Sequence, residues 1–571
     1  MRARRAITFV TMVCGLAIRA EAQEIRGTVR DSASGQPIPA AVLLLLDSTG
    51  ATLGRNITDE RGRYRIARSP TMRRLRIFRI GFRPREAAIP GPVTGIATLD
   101  VAMQSLPTML EPVRITDSTT CPMRADRAAA LALWEQARTG LLATIVARTA
   151  QPVAMARLLF DRLLERNGND IAYQRVRIDS SSANTSFNAA HTAGDFVKNG
   201  FMQGMDDGDQ LFFGPDADVL IDDAFAHGYC FELTSPPRDR PRAQLGLSFK
   251  AAEPRKGRID IDGTLWIDTA QRAIRDIEFR YVGLDRALEA LRPGGHVSFH
   301  EATNGIVFVD RWALRLIGAA PMPLPAGFPP IADAAVGRSP SGENVFLQEV
   351  GGEVARASWP DGTTWTASLG TFNGTLLHGD VPVGSGVLVR LRETNYSTHT
   401  DSAGHFEIPG LLPGPYEVDL MEPTFEKFDL VQDSMWIVAA RDSVVGGRTP
   451  MASMDDYIRA VCPRRAGVVP RNILVVRALD ARMRRVRDLR LSLSSAPTRS
   501  GPWSYVIGRV ALTDAYGQLI VCETSTRKPL PTTGVFRLRS IDPKFDSQVL
   551  DVEIEPGARL LTVLMPVTAK P

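Results

Sequence analysis

The chain is poor in the residues that carry most metal and nucleophilic chemistry. Of 571 residues only 5 are cysteine and 7 histidine. No two cysteines stand as C-x-x-C, which excludes the common zinc knuckles. The histidines (His191, His227, His296, His300, His378, His399 and His405) form neither H-E-x-x-H nor the H-x-x-E pair of a zinc carboxypeptidase. No G-x-S-x-G opens a predicted helix, and no glycine-rich loop ends in Lys-Ser/Thr, so a nucleophile elbow and a phosphate loop are not expected. His296, His300 and Glu301 invite a metal reading. On a strand, however, residues four apart stand about 13 Å from each other, too far to share one ion. Gly204-Met205-Asp206-Asp207-Gly208-Asp209 lacks the alternating carboxylates and closing glutamate of a calcium loop and reads as polar surface.

Charge of one sign is lacking too. Lys and Arg number 68 against 63 Asp and Glu, a net +5. The basic residues are interleaved with acidic and apolar ones, as in Arg73-Arg74-Leu75-Arg76, so no nucleic-acid partner is expected. Beyond the first 22 residues no apolar run approaches the 18 needed to cross a bilayer, and the mature chain is expected to have no transmembrane segment. Those first residues combine Arg2, Arg4 and Arg5 with an apolar stretch over 6–18 and Ala20-Glu21-Ala22. That is the pattern of a secretory signal peptide over residues 1–22. Cys14 sits in a poor lipobox, so no lipid anchor is expected. The predicted location is the periplasm, the outer-membrane surface or the extracellular space.

What the chain does have is a repeated β pattern, with 44% hydrophobic and 23% charged residues as in globular proteins. Thr58-Asp59-Glu60-Arg61-Gly62 lies between the apolar run 42–46 and the alternating Tyr64 and Ile66. Asp can accept from backbone N–H groups just ahead of it, and Gly can take the positive φ of a tight turn. The element returns at Thr400-Asp401-Ser402-Ala403-Gly404 and at Thr513-Asp514-Ala515-Tyr516-Gly517, each followed by an alternating run. Three copies in matching contexts argue for a repeated module.

Gly27, Gln36-Pro37-Ile38, Val42, Thr58-Asp59, Gly62, Tyr64 and Ile80-Gly81-Phe82 resemble the carboxypeptidase regulatory-like domain, a transthyretin-like β-sandwich of bacterial envelope proteins. The second copy is similar through Gly374, Val381-Pro382-Val383, Thr400-Asp401, Gly404, Phe406 and the ending Gly414-Pro415-Tyr416-Glu417-Val418. The third keeps Thr513-Asp514 and Gly517 without the Gly-Pro-Tyr closure. Leu110-Glu111-Pro112-Val113-Arg114-Ile115-Thr116 looks like the segment that follows this domain in TonB-dependent receptors, but the barrel strands of such a receptor are not expected here. Residues 213–220, 263–268 and 294–312 resemble the middle region of envelope proteins carrying the domain, and the strand, Asp-turn, strand pattern is similar to the curved sheet of lipoprotein carriers.

The expected fold is therefore mainly β and multidomain: transthyretin-like or Ig-like β-sandwiches flanking an α+β middle domain with an antiparallel sheet. The boundaries are a sandwich over 23–104, a linker over 105–120, a middle domain over 121–345, a second sandwich over 369–438 and a third, divergent one over 470–568. In the middle domain a helix is predicted over 124–147 from Leu131, Trp134, Leu141 and Ile145. Strands follow, with Val219-Leu220-Ile221 among them. Past residue 344 the β pattern is read as leading into the second sandwich.

The four cysteines beyond the leader allow three pairings. Cys121 with Cys230 and Cys462 with Cys522 are favoured, because each pair falls within one expected region, against buried free thiols. Trp266 and Trp312 read as sheet core. Trp359 and Trp365 flank the Asp361-Gly362-Thr363 turn and are the candidates for exposed, ligand-stacking rings. No catalytic, cofactor or metal residue is assigned. The reading is a non-enzymatic envelope scaffold or binding protein with an envelope protein or glycan as partner. The alternatives are a carbohydrate- or peptide-binding accessory of an outer-membrane uptake system and a hydrolase with a hidden acid pair.

Overall fold

The structure is a computed structural model that describes residues 24–90, 96–106, 121, 127–179, 187, 189–204, 210–253, 257–318, 337–338, 344–463, 472–507, 509–523, 526 and 530–570. The segments read from the sequence as a signal peptide (1–22), a polar surface loop (205–209) and most of a linker (105–120) lie outside them. The protein is mainly β and divides into two units, Met1–Ala367 and Ser368–Pro571.

The first unit opens with a two-sheet sandwich. Glu24–Asp31 alternates inward and outward side chains. It pairs antiparallel with Arg63–Ala67 and parallel with Ile96–Thr98 and Val101–Met103. The facing sheet runs Thr52–Ile57, Val42–Leu46, Arg74–Phe78, Arg85–Ala88. Ile25, Val29, Leu43, Leu75 and Ile77 meet between them, all fully buried. The same topology occurs twice in the second unit. Gly370–His378 lies between His405–Leu411 and the parallel strand Val444–Pro450, so this sandwich extends beyond the expected boundary at 438. Ile473–Leu479 lies between Gln518–Cys522 and the parallel strand Leu560–Pro566.

One set of hydrogen bonds is common to all three sandwiches. Asp59 accepts from the backbone N–H of Arg61 at 2.9 Å and of Arg63 at 2.8 Å. Asp401 does the same for Ala403 and His405, and Asp514 for Tyr516 and Gln518. The preceding threonine joins this turn to the loop before the second sheet. Thr58 Oγ1 donates to the carbonyl of Ile38 and accepts from the N–H of Ala41, each at 2.8 Å. Thr400 bridges Gly384 and Val387 likewise, and Thr513 bridges Val486 and Leu489. Gly62, Gly404 and Gly517 have φ of +69°, +76° and +68°, values that any Cβ penalises.

The middle domain is one antiparallel sheet in the order Ile171–Asp179, Ala154–Leu164, Asn344–Ser358, Val307–Gly318, Gly294–Glu301, Ala273–Val282, Asp260–Asp268, Gln244–Ala251, Tyr229–Thr234. Asn344–Ser358 pairs with both Ala154–Leu164 and Val307–Gly318. The domain therefore runs past the expected boundary at 345, and this strand does not lead into the second sandwich. Sequence-distant partners complete the sheet, which no local pattern announces.

Helix α1 (Arg127–Ala150) covers one face and ends three residues beyond the Ala147 that the apolar spacing predicts; residues 124–126 lie outside the described set. Its Ala130, Leu133, Trp134, Ala137 and Leu141 are buried in a core shared with Leu265, Ile277, Val297 and Phe299. At Gly140 a Cβ would stand 2.4 Å from Ile80 of the first sandwich and 2.8 Å from Ile274 of the sheet. The helix is thus wedged between the two. Val219-Leu220-Ile221 is helical, not extended, within Ala217–Ile221. Asp216 caps the helix by accepting from the Val219 N–H at 2.9 Å, and an N-cap of this kind outweighs the β propensity of the apolar triplet.

The shared threonine bridge yields a direct test. Thr58→Val, Thr400→Val and Thr513→Val should each destabilise their sandwich by about 1–3 kcal/mol, since each strands a buried N–H and C=O. Gly62→Ala and Gly404→Ala should also destabilise, by more than about 1 kcal/mol. Denaturant midpoints of the variants check both, and unchanged midpoints for the threonine variants would remove the bridge from the account.

Candidate functional site

The side of the sheet away from α1 carries charge. Side chains alternate across a strand, so Leu265, Ile277 and Phe279 point to the helix while Thr264, Asp276 and Glu278 point outward. A register that pairs Glu278 with His296 and Asp276 with Ser298 brings Asp276, Glu278 and His296 together, with ligand-type atoms within 4.8 Å of one another. The loop after Tyr229–Thr234 folds Arg240 over this group. Arg240 donates to both oxygens of Asp276, at 2.8 and 3.0 Å, and also to Glu278. Its guanidinium lies 4.5 Å from the centroid of Trp266, whose indole N–H donates to Glu278 at 3.4 Å. His296 Nε2 is 3.8 Å from Asp276.

This arrangement fixes its own charge. The bidentate arginine takes up the carboxylates that would ligate a cation, so the trio fits a structural ion-pair network better than a metal centre. Burial holds the His296 imidazole below its ordinary 6.5, and Arg240 and Arg311 push the same way against the attraction of Asp276 and Glu278. The depressed value favours the neutral form in the fold. Its contribution to stability is present above about pH 6.5 and is lost as the pH falls toward the lowered value.

Beside the network lies an open cleft of about 390 Å³ lined by Glu232, Lys250, Asp262, Thr264, Glu278 and Arg280. Across the sheet, a cavity of about 50 Å³ lies between the C-terminal half of α1 and the apolar face.

Of the residues singled out in the sequence, the cysteines are joined as Cys121–Cys230 and Cys462–Cys522. Trp359 is not an exposed ring: it is 5% exposed and packs edge-on against Phe308 at 5.4 Å. The turn it flanks is on the surface, but the apolar ring folds under it. Trp365 is half-buried against Phe308 and His300. The expected pair of stacking rings is therefore not formed. His300 faces this aromatic group and Glu301 pairs with Arg79 at 2.9 Å, so neither joins His296. Sequence reasoning missed Asp276, Glu278 and Arg240 because it searched along one strand, whereas the cluster is built across two strands and a loop.

Arg240→Ala should raise the His296 pKa, because it removes a positive charge and frees two carboxylates. It should also cost about 1–3 kcal/mol for the buried Asp276 left unpaired. Imidazole NMR titration of wild type and variant checks the shift; an unmoved His296 would show that the groups do not act as one electrostatic unit.

Comparison with known proteins bears on the first sandwich. The carboxypeptidase regulatory-like domain matches residues 24–104. No curated protein matches the chain. Among solved structures, the Bacillus anthracis TIE protein is 10% identical with a TM-score of 0.15, covering 64% of this chain and 64% of its own length. Shaft pilin SpaA from Lactobacillus rhamnosus GG is 9% identical with a TM-score of 0.13, over 36% of this chain and 98% of its own. Transthyretin from Sparus aurata is 21% identical with a TM-score of 0.13, over 17% of this chain and 90% of its own. Scores this low carry no argument about function. Residues 24–104 are a carboxypeptidase regulatory-like domain.

Proposed function

We propose that the protein is an exported, non-enzymatic scaffold or binding protein of the cell envelope, built from carboxypeptidase regulatory-like modules. The observation that carries this reading is the threefold recurrence of one sandwich with one set of turn bonds, in a chain whose middle sheet has its acidic cluster closed by Arg240. Repetition of a bonded β-unit suits a structural or presenting role. Two disulfides, spanning 109 and 60 residues, suit an oxidising compartment. Among the described residues no helix is long and apolar enough to cross a membrane. The outer strand Asp433–Ala439 of the second sandwich leaves Trp436 and Val438 47% and 67% exposed, at a sheet edge of the kind that pairs with partner strands.

The cleft beside Glu278 favours one second reading, a glycan-binding accessory. Its size falls within the range of small-ligand sites, and its hydroxyl, carboxylate and arginine lining suits sugar hydroxyls.

Cell fractionation with thiol labelling tests the first reading. The protein should sit in the envelope fraction with no free thiol, and reductant should lower its stability by up to about 4–5 kcal/mol per bridge on loop-entropy grounds. Recovery from the cytosol with four free thiols would overturn the export claim. Turnover of a peptide or glycoside panel, lost in Asp276→Asn, would overturn the non-enzymatic one. A glycan array that responds to Asp262→Ala would favour the second reading.

A further inference from the structure

The cleft beside Glu278 holds three carboxylates, Glu232, Asp262 and Glu278, against two cations, Lys250 and Arg280. The acids lie deeper than the bases that pair with them. Asp262 and Glu232 are 31% and 27% exposed, whereas Arg280 and Lys250, at 3.6 and 3.5 Å from them, are 68% and 48% exposed. Burial raises the Asp262 carboxyl above its ordinary 3.8, an effect that Arg280 and Lys250 offset only in part. The register sets Glu232, Ser248, Thr264 and Glu278 in one row across four strands, with Asp262 opposite Arg280 in the next. Thr234 Oγ1 bonds Ser248 Oγ, which bonds Thr264 Oγ1 at 3.1 Å. Three hydroxyls joined by two bonds keep one O–H, and several lone pairs, for another molecule.

We infer that the cleft binds an amino sugar with a free ammonium group, which bonds Asp262 while the ring hydroxyls take the Ser248 and Thr264 row. The inference rests on the glycan-binding reading of the cleft and names the class of glycan. Exchange of partners favours that class. Arg280 is mostly exposed, so returning it to water gives up little, and the incoming ammonium keeps the deeper carboxylate compensated through a charge-assisted bond. An acidic sugar can bond Arg280 or Lys250 only by drawing it from Asp262 or Glu232. That leaves a partly buried carboxylate without its cation, in a cleft whose lining is already net negative. A neutral sugar leaves both pairs in place and gains the hydroxyl bonds alone. At about 390 Å³ the cleft stands toward the lower end of small-ligand sites, so the ligand is a short saccharide.

Calorimetric titration of the purified chain tests this with four probes: the glucosamine dimer, its N,N′-diacetyl form, digalacturonate, and Nα-acetyl-lysine methyl ester as an ammonium without a sugar. The glucosamine dimer should bind about tenfold more tightly than the diacetyl form, the worth of one hydrogen bond to a charged group, and digalacturonate should bind most weakly of the sugars. Asp262→Asn should erase the preference for the free amine while leaving the diacetyl form within about twofold of its wild-type affinity. Arg280→Ala, which removes the competing cation, should tighten the glucosamine dimer several-fold; a site for acidic sugars would respond in the opposite direction. Equal affinity for the acetylated and free dimers, tighter digalacturonate binding, weaker glucosamine binding in Arg280→Ala, or a lysine ester that binds as well as the dimer overturns the amino-sugar assignment, and the first three leave glycan binding in place. A cleft that takes none of the sugars removes the glycan-binding reading and this assignment with it.

Discussion

The threonine hydroxyl at the head of each Thr-Asp-x-x-Gly turn is the contact on which the sandwiches depend. It is almost fully buried at all three sites, 0%, 4% and 1% exposed, and it is both donor and acceptor. One bond reaches a carbonyl and the other an N–H on the segment that enters the opposite sheet. A buried hydroxyl is tolerated only when so satisfied, and here its satisfaction ties the turn of one sheet to the first strand of the other. The aspartate then shapes the turn locally and the glycine allows its reversal. Sheet-to-sheet registration is thus set at a polar point, and the alternating apolar residues pack around it.

The bridge also explains what was legible in the sequence. Every bond of the aspartate spans two to four residues, so the element is visible as a motif wherever it occurs. The Cys121–Cys230 pair was legible because both cysteines fall inside the middle domain, whereas Cys462 ends the helix Met454–Val461 that precedes the sandwich holding Cys522. The third sandwich looked divergent for want of Gly-Pro-Tyr. In the fold, Gly534-Val535-Phe536 opens the strand that Gly414-Pro415-Tyr416 opens in the second, and both glycines have positive φ, +105° and +136°. What is lost is the hydroxyl of Tyr416, which donates to the Leu412 carbonyl at 3.0 Å. A glycine with an aromatic two residues on would have been the signal to seek.

The remainder was not legible because it is made by pairing between distant segments. Asn344–Ser358 opens with the apolar run Val345-Phe346-Leu347 that many strands carry, and nothing in it names Ala154–Leu164 as its neighbour. Asp276, Glu278 and His296 converge only through the register of two strands, and Arg240 arrives from a third segment. Trp359 shows the same limit from the other direction. Its neighbours in sequence form a surface turn, but the direction of its ring is decided by Phe308, some fifty residues earlier in the chain.

The two faces of the middle sheet divide the chemistry that the chain can offer. On the outward face the charges around the cleft have counter-charges nearby: Arg240 on Asp276 and Glu278, Lys250 with Glu232 at 3.5 Å, Arg280 with Asp262 at 3.6 Å. Half-exposed pairs of the latter kind contribute little to stability, so their loss to an incoming polar ligand costs little, and they are suited to exchange. The Asp276 clasp is different, because both partners are mostly buried and opening it would strand a carboxylate. On the glycan-binding reading proposed above, ligand exchange belongs at Lys250 and Arg280, with Arg240 holding the floor of the cleft in place.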